Sequence, residues 1–180
     1  MRPDLAADSR LPRPLSDQAR ERIIALLRDN AVPGENRRDL LNVLVSEYKE
    51  RMLSEDADSS AVCAEAVAVL DPLVRDRDSS IAQKAISSLK ETVIDIAQED
   101  SLACPILLEA LGDEREDVRA CAVNAVHWLR HRPIDELVRL LESKNSYQRQ
   151  AALLCLQGMG GEATKHLVEQ LENLKSQRAG

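Results

Sequence analysis

The sequence predicts an all-α fold, a stack of antiparallel helix pairs piled into a solenoid, and three observations carry that prediction. The first is a repeat: Leu107-Leu108-Glu109-Ala110-Leu111 returns thirty residues on as Leu137-Val138-Arg139-Leu140-Leu141, and thirty further on as Leu167-Val168-Glu169-Gln170-Leu171. The second is another series at the same offset. Val118-Arg119-Ala120-Cys121-Ala122 is matched by Gln148-Arg149-Gln150-Ala151-Ala152, and Ala125-Val126 by Cys155-Leu156. Each unit thus holds two short segments, both apolar at i, i+3 and i+4, the period of a helix with one buried face. The third is composition. Apolar residues make up 44 % of 180 residues but aromatics only 2 %, with no Phe. A core of Leu, Val, Ile and Ala suits closely approaching helices, whereas a β-sandwich wants more β-branched and aromatic alternation.

In chain order, residues 1–15 hold Pro3, Pro12 and Pro14 among scattered Arg and Asp and read as a flexible tail. The remaining residues, 16–180, read as one solenoid domain. Ser16 or Asp17 caps a first helix over about 17–30, with Ile23, Ile24, Leu26 and Leu27 inward. Val32-Pro33-Gly34 stops it. A second helix over about 35–53 carries Leu40, Leu41, Leu44, Val45, Tyr48 and Met52 as its apolar stripe. The polar run 54–60 leads into a third helix over about 61–75, which Pro72 should bend or end.

Asp78 and Ser79 cap a fourth helix expected over about 80–98. The spacing from Ile81 to Val118, like that from Ala85 to Ala122, is thirty-seven and not thirty, which predicts a unit lengthened by about two helical turns. Pro105 reads as the opening of helix five, ended by Gly112-Asp113. Helix six covers about 116–130, Pro133 opens helix seven over about 134–142, and Asn145 or Ser146 caps helix eight. Gly158-Met159-Gly160-Gly161 ends it. Helix nine, about 162–177, is a half-unit whose charged outer face (Lys165, Glu169, Glu172, Lys175) suits a capping element.

The run Leu111-Gly112-Asp113, Val118-Arg119, Cys121-Ala122, Ala125-Val126 resembles a HEAT repeat in its short form of about 30 residues, the type shared with phycobilin-lyase-like proteins. The same pattern covers Leu141 to Met159 and, more loosely, Val74 to Leu89. Residues 17–53 fit as an irregular first pair, because Arg37-Arg38 stand where Val-Arg belongs. The resemblance implies a right-handed, armadillo-like superhelix of about four helix pairs plus a C-terminal capping helix. It implies no activity, since one fold hosts many functions.

If repeats stack in this way, residues at offsets two, six and nine from the first core residue of each second helix line one concave strip: Gln83, Ser87 and Lys90; Ala120, Asn124 and His127; Gln150, Leu154 and Gln157. Such a strip suits an extended peptide or a partner helix. Arg119 and Arg149, with Asp76 and Asp113 at equivalent turns, read as braces between neighbouring units, as such side chains are in arrays of this kind. Trp128 reads first as a core filler and second as a partner anchor. Glu114, Glu116 and Asp117 read as helix-start residues, favoured there by the dipole.

Other chemistries find little support. There is no GxSxG, P-loop or GxGxxG after a strand. His127 and His131 have the spacing of two metal ligands on one helix, but the residue after His127 is Trp, and no third ligand is evident beyond His166; no metal or cofactor is expected. The four cysteines, at 63, 104, 121 and 155, form no CxxC pair and read as reduced thiols packed as small hydrophobes. Net charge is −7, and residues 41–100 hold 13 acidic groups against 6 basic. That balance disfavours a nucleic-acid binder and favours a protein partner with a basic patch. With no apolar run of about 20 residues, a cytoplasmic protein without a membrane span is expected. The expected function is a non-catalytic scaffold, adaptor or inhibitor. A phycobilin-lyase-type enzyme subunit is the alternative, a nucleic-acid-binding solenoid the weaker one, and the oligomeric state stays open.

Overall fold

The computed structural model describes residues 15–54 and 58–168. The expected tail lies outside them except for Leu15, as do Glu169, Glu172 and Lys175. No strand occurs among the described residues. The helices are α1 (Asp17–Arg28), α2 (Gly34–Met52), α3 (Ser59–Val74), α4 (Ser79–Leu89), α5 (Asp100–Ala110), α6 (Glu116–His127), α7 (Ile134–Leu140) and α8 (Ser146–Met159). Residues 161–168 are helical as well.

Short polar side chains start four of them by accepting otherwise unpartnered N–H groups. Ser16 accepts from Ala19 at 3.2 Å, Asp58 from Ser60 and Ala61 at 3.1 Å, Asp78 from Ser80 at 2.8 Å and Asn145 from Tyr147 at 2.9 Å. Pro72 lies in the last turn of α3, which ends two residues later. Gly160, at φ 55°, supplies the left-handed residue that closes α8.

Two expected elements differ. Helix five begins at Asp100, and Pro105 falls inside it. The missing proline N–H would have met the carbonyl of Ser101, an exposed residue, so water can take the acceptor. The continuous α-helix expected to Gln98 stops at Leu89 and becomes a π turn over Lys90–Ile94. Asp95 N–H donates to the Lys90 carbonyl at 2.9 Å and Ala97 N–H to that of Thr92 at 3.0 Å, the wider i to i−5 spacing. Gln98 then adopts φ 61° and reverses the chain into α5. The extra residues of this unit are therefore taken up by a widened turn and a reversal.

The helices form two layers. In one, α2 packs on α4, α4 on α6 and α6 on α8; in the other, only α3 and α5 meet extensively. Within a pair, α1 covers α2, α3 covers α4, α5 covers α6 and α7 covers α8. One closely packed layer beside a splayed one bends the stack toward the closer side, so the even-numbered helices form the concave face. No extensive packing joins α1 or α2 to α7 or α8 among the described residues; the array is an open α-solenoid. Its core is aliphatic, with Leu27, Leu41, Leu44, Leu70, Ile81, Leu89, Leu107 and Leu111 almost without exposure, and Tyr48 is its one large aromatic. Ile23, Ile24 and Leu26, expected inward, are only half-buried, because α1 has a helix on one side alone.

A polar ladder repeats with the helices. Asp76, Asp113 and Ser143 occupy one position of successive units. Their side chains accept the N–H two residues on, at 2.9, 2.9 and 3.2 Å. Arg119 and Arg149 each reach back to the backbone of their own turn, at Asp113 O (2.9 Å) and Ser143 O (2.6 Å). The brace between units falls instead to Arg115 and Asn145, which share the cap position. Arg115 donates to the Asp76 carbonyl at 2.6 Å and Asn145 to that of Gly112 at 2.8 Å. In the first unit Arg37 takes over: 4 % exposed, it donates to the Leu27 carbonyl at 2.9 Å and pairs with Asp76. The irregular Arg-Arg of the sequence is thus a buried strut across two repeats.

Candidate protein-docking face

The nine residues picked out for the concave strip all belong to the even layer or, for Lys90, to the π turn that extends α4. They do not all point into one space. Asn124 and His127 of α6 converge with Gln150 and Leu154 of α8 on an open groove of about 450 Å³, which Arg119, Ala120 and Val123 also line. Leu154 is 56 % exposed, and its apolar side chain is the chief apolar projection in the groove. Gln157 is exposed further along α8.

The α4 residues are partly occupied. Gln83 donates to Asp117 Oδ2 at 2.6 Å and is half-buried between α4 and α6. Ser87 is half-buried and bonds the Cys121 thiol. Lys90 pairs with Asp95 at 2.9 Å and lies over the Trp128 ring, its Nζ 4.4 Å from the centroid. Asp117 accepts from Val118 N–H at 3.0 Å as well as from Gln83. It is the helix-start residue expected and, in addition, the tie between α4 and α6.

His127 is oriented by its neighbours. Its Nε2 lies 3.3 Å from the Cys155 carbonyl, and the ring crosses α8 at Gly158, where a Cβ would come within 2.3 Å of Nε2. A side chain at this position would have to displace the imidazole from between α6 and α8. The metal pair read from spacing does not form on one helix: α6 ends at His127, so His131 lies beyond it. His166 Nε2 is 2.8 Å from Asp135. No group of three His, Cys, Asp or Glu among the described residues is placed to hold a metal ion.

Trp128 corrects the core reading. It caps the C-terminal end of α6 and is 57 % exposed, with Leu129, next in sequence, taking the buried place instead. The sequence reading also put no weight on Tyr147, 41 % exposed, whose ring carries the guanidinium of the groove-lining Arg119 at 4.5 Å. Its signal was available: Tyr147 directly precedes the first core position of helix eight, one turn from the Arg119 row in the stacked unit. The thiols are held neutral by burial, Cys155 on α8 and Cys104 on α5 most strongly. Burial pushes Cys155 up to about 12 and Cys104, further raised by Glu136 and Asp100, to about 11. All four cysteines are free.

No helix of the described residues is long and apolar enough to cross a membrane. No curated protein matches the chain. Residues 104–178 match the family model for HEAT repeats, a stretch that holds most of α5, the whole of α6, α7 and α8, and the helical residues 161–168. Over that stretch the chain is similar to HEAT repeats, in keeping with the all-helical solenoid.

Proposed function

We propose that this chain is a non-catalytic docking protein that takes a segment of another protein along its even-helix face, as a scaffold, adaptor or inhibitor. The observation that carries the reading is the open α6–α8 groove, with half-exposed Leu154 at its centre and polar Asn124, His127 and Gln150 around it. HEAT repeats generally serve protein–protein interaction, which supports the same reading. An apolar anchor ringed by adaptable hydrogen-bonding groups is the usual anatomy of a protein interface. The groove runs between α6 and α8 and is open to solvent, a form that suits an extended segment or a helix. The partner is expected to bring basic groups, because residues 41–100 carry an acidic excess and the helix-start residue Glu116 lines the groove.

Affinity capture from a homologous lysate, quantified by mass spectrometry, tests this. Leu154→Glu places a charge in the groove and is expected to weaken partner retention about tenfold or more. Leu102→Glu, on the splayed odd layer, is expected to leave it unchanged. Equal loss from both variants, or none from Leu154→Glu, would move the docking site elsewhere.

A further inference from the structure

The widened turn that breaks the thirty-residue period begins at Lys90 and is followed directly by Asp95, and Lys90 meets both Asp95 and Trp128. Lys90 Nζ lies 4.4 Å from the Trp128 ring centroid and 2.9 Å from Asp95 Oδ2. An aromatic face and a carboxylate therefore converge on one point, and that point is held by an ammonium. Resting on the reading of this face as protein-binding, we propose that Trp128 and Asp95 form a receptor for an arginine or lysine side chain of the partner. Lys90 fills it in the free protein and is displaced on docking.

Three observations support the assignment. Trp128 is 57 % exposed, so its ring does little for the core, and a large aromatic left in solvent marks an interface. Asp95 is 42 % and Lys90 23 % exposed on the side chain, and an ion pair open to water at its carboxylate is held weakly enough to exchange. The surroundings select the sign of the occupant. Residues 90–100 hold one basic side chain, Lys90, against Glu91, Asp95, Glu99 and Asp100. Glu91 is already paired with Lys49, and Asp100 accepts from the Arg130 and His131 N–H groups, but an acidic partner would still have to draw Lys90 off Asp95 and set its own charge beside that freed carboxylate. A cationic one replaces like with like, and the charge balance of the site is unchanged. A guanidinium suits it better than an ammonium, because its plane can stack on the indole while its N–H groups pair with the carboxylate. The receptor adjoins the groove: His127, next to Trp128 in sequence, lines it.

Trp128 is the single Trp of the chain, so its fluorescence reports directly on the site. The full chain is titrated with a blocked peptide of alternating Arg and Ala, with the matched Glu–Ala peptide as control, and the affinities are checked by calorimetry. The Arg peptide is expected to change the emission and bind, the Glu peptide to do neither. Lys90→Met, which keeps the stem on the ring and removes the charge, is expected to tighten the Arg peptide about threefold. Lys84→Met, the same charge loss on α4, is expected to tighten it less. Trp128→Ala and Asp95→Asn are expected to weaken it about tenfold, with helical content unchanged by circular dichroism. The proposal is overturned if Lys90→Met weakens binding or does no more than Lys84→Met, if Trp128→Ala binds as well as the parent, or if the Glu peptide binds instead. Should Leu154→Glu lose the captured partner while Trp128→Ala and Asp95→Asn keep it, the receptor fails and the docking face stands. Should the peptides behave as expected while Leu154→Glu keeps its partner, the receptor stands and the docking face fails.

Discussion

Arg37 is the residue on which the first two repeats turn. Its guanidinium is enclosed between the end of α1 and the turn that precedes α4, where it satisfies the Leu27 carbonyl and the Asp76 carboxylate. Removing it leaves Asp76, 9 % exposed on its side chain, as a nearly buried charge without its partner. Arg37→Met is therefore predicted to cost about 3 kcal/mol, read as a lowered urea midpoint. Arg37→Met combined with Asp76→Asn should recover part of that loss, since Asn keeps the acceptor for Asp78 N–H; a double variant no more stable than the single one would deny the pairing. The turn carboxylates set the acid limit. Asp113 is held below its ordinary range chiefly by its hydrogen bonds from Arg115, and Asp78 by those from the Ser80 hydroxyl and N–H. A carboxyl depressed in the fold contributes stability that is present above its unfolded pKa and lost as pH falls through the folded value. The melting temperature should thus hold above about pH 5 and fall below about 4. Asp113→Asn should start lower and lose less in that acid step. The thiols give a simpler check. With Cys63 and Cys155 buried and their ionisation raised by burial, a disulfide reagent near neutral pH should label them no faster than the chain unfolds.

The ladder that ties one helix pair to the next is built from caps that reach backwards. Asn145 both starts α8 and donates to the Gly112 carbonyl of the preceding turn, whereas Asp58 accepts from Ser60 and Ala61 at the start of its own helix. Asn145→Ala should cost about 2 kcal/mol, a cap and an inter-repeat bond together, against about 1 for Asp58→Ala. Equal costs by thermal or urea unfolding would mean the reach between units contributes nothing. Most of this level was legible in the amino acids. Leucines at a fixed period gave the pairs, and Ser, Asp and Asn at the breaks gave the starts. Two elements were not. Proline is a reliable helix opener only when nothing upstream can begin the helix, and here Asp100 begins α5 a turn earlier. The run from Ser79 to Gln98 carries unbroken helical periodicity, and no local signal distinguishes seven residues added as two α turns from the same residues spent on a π turn and a left-handed Gln98. Tertiary demand decides between them: α5 must return against α3.

At the scale of the molecule, unequal packing of the two layers gives the stack a close side and a splayed side. The even-helix surface was foreseeable from repeat arithmetic, because equivalent positions of stacked units must share a face. Which of those positions remain available was not. Gln83 satisfies Asp117 and Ser87 meets Cys121, while Asn124, Gln150 and Leu154 open into the groove. Trp128 escaped the reading for a related reason: α6 ends one residue before it, so helical periodicity no longer assigns its direction. The central claim is that a partner lies along this close side. Hydroxyl-radical footprinting of the full chain, free and with a captured partner, tests it most directly by measuring side-chain oxidation. Protection is predicted at Leu154 and Trp128, with Leu102 and Leu53 unchanged; protection confined to Leu102 and the odd helices, with Leu154 oxidised as in the free chain, would contradict it.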